Sequence, residues 1–303
     1  MTQTIINTYT PTNEFLSELI NLYHLTGLPL HENHFGSKVF TEFQKFSLVA
    51  LFRRSKKVLR DFVAELNETR WVKWLQLKEI PSKSVLNNWC LKYPIEFLRK
   101  LNLKLLRNKQ PKLMAIDATG VDAIVRSKHY EKRFNIKSEF NKLTVFIDVE
   151  NMLIYDHVLQ MKPRHDVKSA ETILKRSRLK NIKSLGDKGY DSEPLHKIAK
   201  SKQINLFAPV RNSSKNSPKG WNRKRCVRGD EDYNKRVHVE SCIHSLKKRR
   251  IPIIRSKLHH MKKREVAMHV LLHNIEKLRK GIRHYLRMMF SIILDKPIRT
   301  KHL

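Results

Sequence analysis

The chain has 303 residues and carries 62 Lys or Arg against 28 Asp or Glu, a net charge of +34. That surplus works against compaction by self-repulsion and points to a polyanionic partner, nucleic acid first. A hydrophobic share of 40% excludes disorder throughout. The longest apolar run near the end, Met288 to Leu294, is far too short to span a membrane, and Cys90, Cys226 and Cys242 exclude a disulfide framework.

Residues 1–40 hold Lys38 against Glu14, Glu18 and Glu32, which leaves 61 basic and 25 acidic residues for the rest. The basic character therefore belongs to the body of the chain. This first segment is read as irregular, broken by Pro11, Gly27 and Pro29, with one short amphipathic helix around Leu16, Leu19, Ile20 and Tyr23. No basic-then-apolar signal pattern opens it, so the expected compartment is the cytoplasm. From Thr41 the apolar spacing turns helical: Phe43, Phe46, Val49 and Ala50, then Leu59, Phe62, Val63 and Leu66. A third short helix carries Trp71 and Trp74. Ser82 is placed to cap the next, and Pro94 marks a stop beyond its end. Residues 41–110 thus form a helical region with a basic surface. A helix-turn-helix-like DNA reader and a plain helical scaffold both fit it.

At Lys112 the texture changes. "KLMAIDATG" reads as a strand ending in Asp117 before a Thr119–Gly120 turn, and "LTVFIDVENMLIYDHVLQ" as a hairpin turning at Glu150–Asn151. A helix follows over 166–178 with Asp166 as its cap. Next comes a strand ending at Asp187, then a helix with Asp191 as N-cap and Pro194 in its first turn. "INLFAPV" is a further strand. A basic loop then leads to a helix carrying Glu240, which Pro252 terminates. A last helix runs over about 263–280, and residues 281–303 are a basic, amphipathic tail. Three strands with hairpin connections and two helix-linked strands describe an α/β fold, a mixed sheet flanked by helices. Cys226, His238, Cys242 and His244 lie close in sequence but lack a zinc spacing.

Three acids stand out. Asp117 and Asp187 end strands, and Glu240 follows the fifth strand, where sites assemble in open sheets. Together they would bind two Mg²⁺ or Mn²⁺ ions, which want oxygen ligands and can clamp both oxygens of an in-line displacement at phosphorus. Each acid also has a plain structural reading: a turn-former at Asp117, a turn cap at Asp187, a helical ion pair with Arg236 at Glu240. Tyr233, Arg236, Glu240 and Lys247 follow a Y-x2-R-x3-E-x6-K spacing. On one helix these four share an arc of about 60°. That face joins a carboxylate to two cations suited to phosphate. Lys128 and His129 are candidate backbone contacts, with solvent exposure the alternative. Trp221, in the basic loop, is a candidate base-stacker or a simple surface residue.

"AIDATG", "GDKGYDS" and the Tyr233/Arg236/Glu240/Lys247 pattern together resemble DDE transposases of bacterial and archaeal insertion sequences, in the subgroup with the Y-x2-R-x3-E-x6-K signature. The resemblance covers roughly residues 41–280. It implies an RNase H-like catalytic core over 111–280, preceded by a helical DNA-binding region at 41–110. Asp117, Asp187 and Glu240 would be the metal-binding catalytic triad, with Asp191 competing for the second place. Tyr233, Arg236 and Lys247 would contact transposon-end DNA. The implied partners are duplex DNA, both transposon ends and target, and a second protomer in a homodimer or larger assembly. The implied location is the prokaryotic nucleoid. Some relatives carry a long β-rich insertion before the Glu helix. Here about twenty residues stand there, which sets aside any mechanism that needs that insertion to hold a DNA hairpin. A repurposed, catalytically inactive DNA-binding protein is the alternative reading.

Overall fold

The computed structural model describes residues 14–32, 38–123, 133, 140–211 and 218–294, with side chains as far as residue 280. Lys128, His129 and residues 295–303 lie outside these.

Among the described residues six helices come first: α1 (Glu14–Thr26), α2 (Glu42–Ser55), α3 (Leu59–Leu66), α4 (Trp71–Trp74), α5 (Lys83–Lys92) and α6 (Ile95–Leu105). Their ends follow from local chemistry. Thr41 and Gln44 form a reciprocal capping box at the start of α2, a device worth about 1 kcal/mol. Ser82 accepts the Val85 amide at the start of α5. Pro94 stops α5 and opens α6 as its N-cap. The apolar faces of α1, α2, α5 and α6 meet through Leu19, Phe43, Phe46, Leu86 and Leu98.

The sheet has the order β3-β2-β1-β4-β5. Strands β1 (Leu113–Gly120), β2 (Lys142–Asp148) and β3 (Leu153–Gln160) form an antiparallel meander. β4 (Ile182–Leu185) and β5 (Ile204–Phe207) add in parallel, reached through helices α7 (Asp166–Arg176) and α8 (Glu193–Ser201). A short helix α9 (Trp221–Arg225) precedes α10 (Val237–Arg249) and α11 (His259–Leu294). This is the RNase H-like arrangement of a mixed sheet between helical layers.

Side-chain alternation gives each face of the sheet its own cover. Leu113, Ala115, Val145 and Leu185 pack against Val239, Cys242 and Leu246 of α10 and Val266 and Val270 of α11. Met114, Ile116 and Phe146 pack against Ile173 and Leu174 of α7 and Leu195 of α8. α11 also gives Met268, Leu271 and Leu272 to the core of the N-terminal helices. It is apolar on two sides because it is the shared wall of both cores. At the β3 edge, Asn274 of α11 accepts from the Ile154 amide at 2.9 Å and donates to its carbonyl at 2.7 Å. Side chains there replace the missing neighbour strand.

Several boundaries differ from the sequence reading. β1 does not end at Asp117, because β2 pairs with it through Gly120↔Lys142 and extends the ladder. β4 stops at Leu185, two residues before Asp187. The caps of α7 and α8 are His165 and Ser192, not Asp166 and Asp191, since both aspartates are engaged by cations: Asp166 by Lys142 at 2.6 Å and Asp191 by Arg223 at 2.6 Å. The last helix starts at His259 and continues to Leu294.

Candidate active site

The parallel register pairs Ala115 with Leu185. Two residues further along each chain stand Asp117 and Asp187. Continued alternation sets both on the face covered by α10. A run of glycines shapes the second position. Asp187 Oδ1 accepts the Gly189 amide at 2.8 Å and caps the 3₁₀ turn Lys188–Tyr190. A Cβ at Gly189 would stand 2.7 Å from that same oxygen, and one at Gly186 would stand 3.1 Å from the Tyr190 ring. The tight "GDKGY" turn therefore needs both glycines to hold the carboxylate where it is.

Glu240 lies in the first turn of α10. Arg236, at its N-cap, donates to Asp117 Oδ2 at 3.2 Å and to Glu240 Oε1 at 2.9 Å. One guanidinium thus joins the acid of the central strand to the acid of the covering helix. Burial pushes the Asp117 carboxyl up. The Ala118 amide and Arg236 pull it back, and the charges of Asp187 and Glu240 raise it again. Burial alone would lower the Arg236 pKa, but Asp117, Tyr233 and Glu240 outweigh it and hold the guanidinium firmly charged.

The expected single helix from Tyr233 to Lys247 is not formed. Tyr233–Arg236 is a 3₁₀ turn, and the α-helix begins at Val237. The turn is pinned from a distance: Lys183 Nζ lies 2.7 Å from both Asp230 and Asp232. Tyr233 packs edge-on against Phe207, with ring centroids 5.5 Å apart, and carries the Arg236 guanidinium 6.0 Å above its own ring. Lys247, half-buried two turns beyond Glu240, makes no hydrogen bond or ion pair among the described residues. The structure thus gathers Asp117, Arg236, Glu240 and Tyr233 closely, sets Asp187 beside them, and leaves Lys247 further along α10. Trp221 is 74% exposed.

Asp191 has another environment. Its carboxylate is fully buried, takes two bonds of 2.6 Å from Arg223, and accepts the Arg211 amide at 2.9 Å. Burial would raise its pKa, but these contacts hold it below the usual carboxylate range. It ties the loop after β5 to the base of α8 and has little lone-pair capacity left. Tyr190 went unnoticed in the sequence. It is buried with no hydrogen-bond partner for its hydroxyl among the described residues, and burial, then Asp166, Asp117 and Asp187, push its pKa up. Its place directly after Gly189 in "GDKGYD" was the available signal.

Carboxylate oxygens alone suit a hard divalent cation. With Arg236 lying between Asp117 and Glu240, however, no three His, Cys, Asp or Glu side chains among the described residues stand together as a ligand set. The donor chemistry fits such an ion, and the guanidinium occupies the space between two of the donors.

The strand order of this mixed sheet, with helices on both faces, defines the class, an RNase H-like α/β protein. The chain belongs to the transposase DDE domain family, whose model matches residues 108–275, more than half of the chain. No curated protein matches it. Among solved structures, the piggyBac transposase synaptic complex with hairpin DNA is 12% identical, with a TM-score of 0.45, covering 91% of this chain and 74% of that one. A pre-cleavage Mos1 transpososome is 9% identical, with a TM-score of 0.23, covering 93% and 91%. Likenesses this weak add nothing to what the topology and the family match establish. No helix among the described residues is long and apolar enough to cross a membrane.

Proposed function

We propose that this protein is an insertion-sequence transposase that binds the terminal inverted repeats of its element, cleaves the DNA there and joins the freed 3′ ends to a target. The single observation that supports this most is the Asp117–Arg236–Glu240 bridge over the central strand of a family-matched sheet. It brings together residues 119 apart in sequence whose types suit phosphodiester chemistry.

Asp117, Asp187 and Glu240 would hold Mg²⁺ or Mn²⁺, two ions in the full site. Bound there, such ions supply Lewis-acid stabilisation and an activated water. Arg236 has a role of its own. In the free protein it neutralises two of the acids. With the acids neutralised by cations instead, its fork would be free to grip a phosphate with two parallel bonds. Lys247 adds a point charge further along α10, and the Tyr233 ring lies under the Arg236 guanidinium. Residues 41–110 would read the repeats, and residues 111–280 would carry the chemistry. Joining two ends calls for at least a homodimer acting on duplex DNA in the cytoplasm.

The test uses the DNA flanking the reading frame. Purified protein with Mg²⁺ or Mn²⁺ should nick it at inverted repeats, and Asp117→Asn and Glu240→Gln should each abolish nicking. Cutting without a divalent ion would sink the mechanism. Repeat-specific binding by folded protein without cutting would favour the repurposed DNA-binding reading.

A further inference from the structure

The β3 edge is covered by side chains only part of the way. Asn102 and Asn274 bond to the Ile154 carbonyl, and Arg99 and Arg176 to that of His157. Beyond His157 the edge opens onto a cleft of about 710 Å³, walled by α6, the end of β3, the start of α7 and the start of α11. Six Lys or Arg line it against one acid, Glu96. Arg99 and Arg176 are tied to Asp156, and Lys168 to Glu171. Lys162, Arg164 and Lys263 are exposed and make no hydrogen bond or ion pair among the described residues. The lining also holds three buried polar atoms without hydrogen-bond partners among the described residues: the Ser169 hydroxyl, in a residue 2% exposed, the Gln160 side-chain oxygen, in one 8% exposed, and Arg99 Nε. A buried hydroxyl left unpaired costs free energy unless a ligand takes it up.

The position matters as much as the charge. The register runs Asp117↔Val145↔His157 straight across the sheet. The cleft therefore begins two strands from Asp117, about 10 Å along the sheet, with its α7 wall on the face opposite the one that carries Asp117. That is about three base-pair steps along one DNA strand. β3 runs parallel to β1, so the cleft opens at the end of the sheet toward which Asp117 lies. Its walls come from both the N-terminal helices and the sheet.

We propose that this cleft seats the phosphodiester backbone of duplex DNA a few nucleotides from the scissile position, with Lys162, Arg164 and Lys263 neutralising phosphates and Ser169 donating its hydroxyl. The inference rests on the transposase reading and adds to it a second, separate binding surface. An acidic protein segment is the rival occupant. Spare cations paired with a spare donor hydroxyl at backbone distance from the acids favour phosphate.

The experiment is binding of a fluorescent duplex of arbitrary sequence across a salt series, without divalent ions so that no cutting occurs. Lys162→Gln/Arg164→Gln/Lys263→Gln is compared with wild type. The matched control is Lys197→Gln/Lys200→Gln/Lys202→Gln, which removes three cations from α8 and its C-cap, near the far edge of the sheet. Each phosphate contact contributes about 0.9 to the slope of log affinity against log salt. The cleft variant should lose about 2 to 3 from that slope, and Ser169→Ala should weaken binding without altering it. The control should keep the wild-type slope. Equal losses in both triple variants, or no loss in a cleft variant whose circular dichroism is native, would overturn the inference. If the cleft variant keeps its slope while wild type still nicks at the repeats, only the cleft assignment fails. If wild type binds no duplex DNA, the transposase reading itself falls.

Discussion

The Arg236 guanidinium lies 3.2 Å from the Asp117 carboxylate, and its other terminal nitrogen lies 2.9 Å from Glu240. Arg236 thus lowers a carboxyl that burial pushes up first and the charges of Asp187 and Glu240 push up further. Arg236→Gln removes that restraint, so the Asp117 carboxyl rises and holds its proton to higher pH. The acid limb of a metal-supported cleavage profile should move upward in this variant. An unmoved limb with a reduced plateau would mean that Arg236 acts on DNA alone.

Gly189 and Gly186 separate function from folding. Gly189→Ala drives a methyl against Asp187 Oδ1, the oxygen its own amide holds. Displacing a reacting group by about 1 Å costs on the order of 10²-fold in rate, so cleavage should fall by that much while the urea midpoint moves little. Gly186→Ala meets the buried Tyr190 ring instead. It should cost about 1–3 kcal/mol of stability, as overpacking does.

Asp191 and Asp187 predict opposite phenotypes. Asp191→Asn breaks a two-bond pair with Arg223 whose carboxylate is fully buried but whose guanidinium is partly exposed. The expected loss is about 2 kcal/mol in urea unfolding, discounted from fully buried pairs for solvent screening. Metal-dependent nicking should survive. Asp187→Asn should unfold like wild type and fail to nick. The reverse pattern would transfer the second metal-binding role to Asp191.

Glu276 carries an acid-sensitive share of stability. Burial alone would raise its pKa, but Lys280 and Arg250 hold it down to about 2. A carboxyl depressed in the folded state contributes fully above its unfolded pKa and loses that contribution as pH falls toward the folded one. The gap in urea midpoint between wild type and Glu276→Gln should therefore be widest near about pH 6 and shrink by about pH 3. A constant gap would mean that Glu276 stabilises through packing alone.

The order of strands and helices was legible because each depends on spacing within a few residues. Capping at Ser82, the hairpin turn at Glu150–Asn151 and the helix-linked β4 and β5 are local signals. The start of the Glu240 helix was not legible. Tyr233–Arg236 winds as a 3₁₀ turn directly after Asp230 and Asp232, which Lys183, some fifty residues earlier, holds in ion pairs. Asp191 looked like a cap because its partner, Arg223, is 32 residues away. β1 looked shorter than it is because a turn-prone Thr119–Gly120 pair still ladders onto β2.

The sequence by itself determined the charge, the element order, the motif spacings and hence the family, since these are properties of residue type and local periodicity. Only the tertiary structure decided that Arg236 stands between Asp117 and Glu240, that Asp191 is locked by Arg223, and that α11 serves two cores. Such contacts join positions tens to more than a hundred residues apart. They exist because the sheet register and the packing of α10 bring those side chains to one face, which no short stretch of chain encodes.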